Sequence, residues 1–296
     1  MLNTKEKIRE LLPSSIWLTL SSLKKIFRPD NSVPMFFLNK VNDCQDNKII
    51  ILGNGPSLKN DINFLNEEDV YFCVNNFSTS PEYDILKPKY YLFLDSYFFS
   101  DKSHSDWISQ RNKTFSEIND RTTWSMTIYV PSWANLECIK KIIKNKKIKI
   151  VKLRVGEFRS SSKVINKFFY NTGFFGPHQV NVLIYAIFIS IWLKSKEIIV
   201  LGADASFHQD ISLDQSTNQL YMNFKHFNDV AYKEPLMKNP DKTKPFTIFE
   251  IMDTCAKTFD AHDMLNYFAK CRSLNIYNAS SNSLIDSYTR INISDE

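Results

Sequence analysis

The chain has 296 residues, 43% hydrophobic and 14% aromatic, with a net charge of +5. This apolar content excludes a disordered chain and suffices for one large core, or one domain with an appendage. Residues 1–28 hold six basic side chains against Glu6 and Glu10, so the rest is near neutral, which argues against a nucleic-acid-binding body.

The N-terminal segment reads as a separate element. Ile16, Leu20, Leu23 and Phe27 share one helix face, Trp17 lies beside them, and Lys24, Lys25 and Arg28 cluster at the end. Residues 5–28 thus fit a helix on an anionic membrane surface; the plainer alternative is a helix packed on the domain or on a second subunit. No apolar stretch ends in small residues there, so no signal peptide is expected. Residues 29–47, with Pro29, Pro34 and several Asn and Asp, read as a linker, and the domain is placed at 48–296.

From residue 48 onward, short apolar runs alternate with helical stretches. Strands are expected at 48–53, 70–75, 90–95, 127–130, 148–153, 197–204 and 274–278, and helices near 58–66, 103–118, 132–145, 177–195, 247–272 and 283–289. The alternation implies a Rossmann-like α/β fold: a mostly parallel sheet, helices on both faces, and ligands outside the carboxyl ends of the strands. The apolar run 180–193 is too short to span a bilayer and is broken by Asn181 and Ser190, so it reads as a buried helix. Residues 207–246 lack periodicity and interrupt the alternation, as a lid does. The five cysteines are odd in number, with no CxxC. They fit a reducing, cytoplasmic setting and no structural zinc.

Five of the six glycines fall in three short turns: Gly53 and Gly55 in GNGPS, Gly173 and Gly176 in NTGFFG, and Gly202 in LGAD. In GNGPS the glycines free the backbone and Pro56 fits a first helical position, so Ser57 and the helix N–H groups are expected to face an anion. Asn54 offers a donor and an acceptor for a sugar or base. The turn lacks the Walker lysine and the third Rossmann glycine, so neither ATP hydrolysis nor a dinucleotide is indicated. Asn75, Asn76 and Asp95 end the next two strands, and Asp95 suits an acceptor hydroxyl; Asx turns and caps are the commoner use of such residues. After LGAD come Asp204, Ser206 and His208, and His226 lies in the lid. His104 and His262 sit in polar helical contexts and read as surface residues, and His178 as a cap or first residue of the 177–195 helix. His208 and His226 remain as the acid–base candidates. No Cys or His cluster, HExxH or DxD appears, so no metal site is expected.

In order along the chain, IIILGNGPSLKN, VNNF and KEIIVLGAD resemble segments of the bacterial family-42 sialyltransferases, which read close to IIAGNGPSLK, CNQF and GYKEIYLSGIDF. GADASF, HFND and YNASSNSLID look closer to a broader group of motility-accessory-factor and lipopolysaccharide proteins, with GADHSW, HFYD and YNAT. The resemblance covers roughly residues 48–290. It implies a metal-independent glycosyltransferase that moves sialic acid or a related keto-sugar from a CMP-activated donor to a surface glycan or glycolipid, without a further cofactor. It places Gly53, Asn54, Gly55, Ser57 and Asn75 at the nucleotide, and maps the turn before the long helix onto Thr172 and Gly173; the strand-end positions add Asn76, Asp204 and Ser206 to the nucleotide-binding candidates. The cysteines and the basic N-terminal helix lead to the expectation of a cytoplasmic protein, peripheral on the inner membrane, with a homo-oligomer left open. Three departures stand out. The family's phosphate-binding Tyr is Ser206 here, with His208 as the substitute. Its Arg before the turn has no equivalent. Its catalytic His aligns near Ala256, which leaves His226 as general base. Two alternatives remain: a pterin diphosphokinase-like enzyme using ATP and Mg²⁺ on Asp95 and Asp204, and a non-catalytic nucleotide-binding protein.

Overall fold

The computed structural model describes residues 16–17, 20, 31–40, 47–66, 68–224 and 232–295. Ile16, Trp17 and Leu20 have helical backbone, with Ile16 and Leu20 exposed. The rest of the expected amphipathic helix and His226 lie outside the described residues.

All seven expected strands form, and they build a parallel sheet: β1 (Lys48–Leu52), β2 (Val70–Val74), β3 (Tyr90–Leu92), β4 (Met126–Pro131), β5 (Ile148–Leu153), β8 (Glu197–Leu201) and β12 (Asn275–Asn278). A short β13 (Thr289–Arg290) completes the spatial order β13-β12-β8-β1-β2-β3-β4-β5, while β6 (Gly156–Glu157) and β7 (Phe175–Gly176) form a separate parallel pair. Alternate residues feed two cores. Ile49, Ile51, Phe72 and Val200 pack under α5 (Lys163–Asn171), α6 (Val182–Trp192) and α7 (Ile248–Lys270). Ile50, Leu52, Tyr71 and Leu201 pack under α1 (Leu58–Asp61), α2 (Glu82–Leu86), α3 (Ser105–Arg121) and α4 (Leu136–Lys140). Helices on both faces explain why the strands are continuous apolar runs rather than alternating ones. Ten of the eleven residues of α6 are buried, as its unbroken apolar sequence requires; its Ser190 hydroxyl is satisfied by the Ala186 carbonyl at 2.9 Å. Among the described residues no helix is long and apolar enough to cross a membrane.

Three expectations need correction. Residues 31–40 are not linker: Val33 bridges Leu153 at the free edge of β5, and Met35 and Leu38 are buried in the core beneath α6. Residues 283–288 are not helical, because side chains have taken the groups a helix needs. Asn278 donates to Ser283 Oγ and the Ile285 carbonyl, each at 3.0 Å. Ser283 in turn donates to the Ala203 carbonyl at 2.6 Å. The described part of the 207–246 insertion, residues 207–224 and 232–246, is more regular than its sequence suggests. It forms an antiparallel sheet of β9 (Ile211–Leu213), β10 (Leu220–Phe224) and β11 (Tyr232–Pro235), seated by Leu220, Met222 and Leu236 on Ile251 and Cys255 of α7.

The connections fix where a ligand can enter. From β1 the chain moves through α1 to β2 and outward to β5. From β8 it moves through α7 to β12, on the other side of β1. The two halves diverge between β1 and β8, and at such a switch point the carboxyl ends of the strands leave a crevice.

Candidate active site

The crevice starts with two turns in contact. Gly53 N–H donates to the Leu201 carbonyl at 2.8 Å and Gly55 N–H to the Gly202 carbonyl at 2.9 Å. A Cβ on Gly53 would come within 2.4 Å of Gly202 O, and one on Gly55 within 2.6 Å. These glycines therefore let one backbone approach another.

Beside them Asp204 is buried, and its carboxylate accepts from Ser57 N–H at 3.1 Å and from the Ser57 hydroxyl. An internal carboxylate thus fills the anion position at the start of α1. Ser57 is buried and turned toward Asp204, so its hydroxyl is not presented to a phosphate as the turn suggests. Burial pushes the Asp204 carboxyl above the ordinary carboxylate range, and the Ser57 hydrogen bonds oppose that push.

Two cavities open over these turns. The larger, about 400 Å³, is lined by Asn54 and Gly55 after β1, Val74 and Asn75 at the end of β2, and residues 202–207 after β8. The N-terminus of α6 closes one side, Met222, Asn223 and Leu236 of the insertion roof it, and His262 of α7 and Ile285 complete the wall. The second, about 340 Å³, holds Asp95, Ser96, Trp133 and Gln179. Asn75, Asn181 and Val182 belong to both walls. Among the described residues no Lys or Arg side chain lines either cavity.

Asn75 is the hinge of this arrangement. It takes the left-handed conformation, φ 48°, which Asn tolerates better than most residues. Its backbone carbonyl accepts from Tyr91 OH at 2.7 Å, and its amide donates to Asp95 Oδ2 at 3.1 Å. Its Oδ1 is buried and has no partner among the described residues. Surrounding protein pushes the Asp95 carboxyl upward against the Asn75 hydrogen bond; water at the cavity mouth limits that push, because the residue is exposed there.

The other expected site residues divide. Asn54 lines the larger cavity and donates to the Val74 carbonyl at 3.2 Å; Ser206 lines it too. Asn76 turns inward, its Oδ1 accepting from Thr114 at 2.8 Å, and lines neither cavity. Thr172 is exposed and bonded to the Phe169 carbonyl. Gly173 packs against Phe36 in a left-handed turn, φ 71°. Neither reaches the crevice, because α5 ends there and the chain needs residues 177–181 to enter α6. That entry carries Asn181, which caps α6 by accepting from Leu183 N–H at 2.8 Å and which sequence reasoning did not select. His178 does not cap α6; it pairs with Glu157 at 3.0 Å. His208 has a buried Nδ1 with no partner among the described residues, and it lines neither cavity.

His262, read from sequence as a surface residue, is fully buried on the cavity wall. Its signal was helical spacing: it shares a stripe with Ile251, Cys255, Thr258, Leu265 and Ala269, all buried. Burial lowers its pKa to about 3, so the ring is neutral.

No protein-family model and no curated protein sequence matches the chain. Among solved structures it is similar to a MAf glycosyltransferase from Magnetospirillum magneticum AMB-1, at 12% identity and a TM-score of 0.45. That alignment covers 88% of this chain but 38% of the Magnetospirillum protein. It is also similar to the sialyltransferase CstII from Campylobacter jejuni, solved with cytidine-5'-monophosphate as a substrate analogue: 18% identity, TM-score 0.41, 83% of this chain and 84% of that one. Neither likeness is close enough to carry an activity across.

Proposed function

We propose that the protein is a glycosyltransferase that holds a CMP-activated sugar across the shared wall of the two cavities. The observation that carries this reading is the pairing itself. A switch-point cavity large enough for a nucleotide adjoins a second cavity that contains a carboxylate, and the N-terminus of α6 lies between them. The motif resemblance supports the same reading.

The nucleoside fits the larger cavity, whose walls are mainly apolar with a few amides and the carboxylates of Asp204 and Asp210. The phosphate belongs at the N-terminus of α6, where helix N–H groups and the Asn75 and Asn181 amides favour negative charge. With no cationic side chain on either wall among the described residues, a monophosphate leaving group suits the site better than a diphosphate. The acceptor enters the second cavity. Its hydroxyl oxygen attacks the anomeric carbon, the bond from that carbon to the phosphate oxygen breaks, and CMP leaves. Asp95 is the one catalytic candidate that reaches a cavity wall among the described residues, and we assign it the hydroxyl proton. His226 is the sequence-based alternative for that role. The insertion that roofs the larger cavity keeps water from the donor. The donor sugar is read as sialic acid or a related keto-sugar and the acceptor as a surface glycan or glycolipid, reached from the cytoplasmic face of the inner membrane through residues 5–28.

The test is release of nucleotide from CMP-, UDP- and GDP-sugars, followed by chromatography with and without a chelator. CMP release that persists in chelator supports the proposal. Release only from a diphosphate donor, or only with metal, overturns it. Comparing Asp95→Asn with His226→Ala assigns the base.

A further inference from the structure

One polar group on the cavity wall has no part in this chemistry. His262 Nδ1 lies 2.8 Å from Tyr288 OH, and both residues are buried. Burial keeps the phenol protonated, and among the described residues Nδ1 is the partner within reach of its proton. With Nδ1 accepting, the neutral imidazole carries its own hydrogen on Nε2. That Nε2 is buried and has no partner among the described residues. An unpaired buried donor is costly, and native structures keep few of them without a use.

The surroundings say what kind of acceptor fits. His262 offers a neutral donor, not a cation. Asp204 lines the same cavity, and no Lys or Arg does among the described residues, so a phosphate pressed against this wall would meet a carboxylate without compensation. Leu183, Met222, Leu236 and Ile285 supply apolar surface for the faces of a flat ring. These features suit an uncharged heterocycle with a carbonyl oxygen.

We propose that His262, oriented by Tyr288, donates from Nε2 to the base of the bound nucleotide, at the ring carbonyl O2 that cytosine and uracil share. This rests on the nucleotide-site reading above. Nε2 is closed to water, so contact requires a small movement of the wall. Met222, with its unbranched and adaptable side chain, lines the same cavity. His262 is then a base-recognition residue and Tyr288 a positioning residue acting through its tautomer.

Two measurements on the full chain test this. Nitrogen-15 NMR of histidine-labelled protein reports the tautomer: hydrogen on Nε2 is expected, with its signal moving as CMP is added. Dissociation constants are then measured for CMP, UMP and base-free ribose 5-phosphate. His262→Phe is expected to weaken CMP and UMP about tenfold, the scale of one lost neutral hydrogen bond, and to leave ribose 5-phosphate unchanged. His262→Gln, which restores a donor near Nε2, recovers part of the loss. Tyr288→Phe gives a smaller loss with a mixed tautomer, and serves if the His262 variants fail to fold. Hydrogen on Nδ1, an Nε2 signal unmoved at saturating CMP, or equal loss for ribose 5-phosphate overturns the inference while leaving the nucleotide site standing. Failure of the wild-type protein to bind any of the three overturns both.

Discussion

Asp204 is the residue for which sequence and structure assign different work, so its replacement is the sharpest structural test. As a nucleotide ligand, Asp204 would be needed for binding; as the internal anion at the start of α1, it is needed for folding. Asp204→Ala strips the acceptors from a buried N–H and a buried hydroxyl of Ser57. Each unsatisfied donor costs about 1–3 kcal/mol, partly offset by relief of the buried carboxylate, for a net near 3 kcal/mol. At roughly 2–4 °C per kcal/mol, the melting temperature falls by about 6–12 °C. Asp204→Asn can accept from Ser57 N–H and donate to its hydroxyl, so it costs under about 1 kcal/mol and retains nucleotide binding. The pH dependence separates the cases further. Burial raises the carboxyl pKa in the folded state, so the protonated form favours the fold. Its contribution is complete below about pH 4 and is lost as pH rises through the folded-state value. Asp204→Asn flattens that decline. Calorimetry of the three proteins from pH 4 to 7 measures all of this. An alanine variant as stable as wild type, or an asparagine variant as damaged as the alanine one, refutes the reasoning.

Gly55→Ala would place its Cβ 2.7 Å from Asp204 Oδ1 and 2.6 Å from a backbone oxygen, and should cost about 1–3 kcal/mol by thermal melting. Asp95→Asn should leave the CMP dissociation constant unchanged while lowering kcat on the order of 10²–10⁴-fold. In the wild type, the acid limb of the pH–rate profile should lie above the ordinary carboxylate range, because the carboxyl is pushed up; the variant should lack that limb. Thr172→Val, at a position that lines neither cavity, should leave nucleotide binding and turnover unaltered in the same assays.

The parallel sheet was legible because burial on both faces writes β1, β2 and β8 as unbroken apolar runs bounded by turn residues. α5 was not, because it exposes Val164, Ile165 and Phe168 and so puts apolar side chains on both its faces. The crevice could be placed from the strand ends alone, and Asn54, Asn75, Asp95 and Ser206 do line the cavities. The direction of each side chain could not be read that way. Nothing local in GNGPS announces that Ser57 turns to a carboxylate 147 residues away. Asn76 follows Asn75 in sequence but faces Thr114 in the core, since Asn75 itself is left-handed and redirects the chain. Asp260 and Asp263 beside His262 give a polar appearance to a residue whose helical stripe is buried.

Equilibrium binding of CMP, UDP, GDP, ADP and ATP to the wild-type protein, with and without Mg²⁺, tests the central claim most directly. Selective binding of CMP that is indifferent to Mg²⁺ is the expected result. Preference for ATP with Mg²⁺ contradicts it and points to phosphoryl or diphosphoryl transfer in the same crevice; binding of none of the five contradicts a nucleotide site altogether.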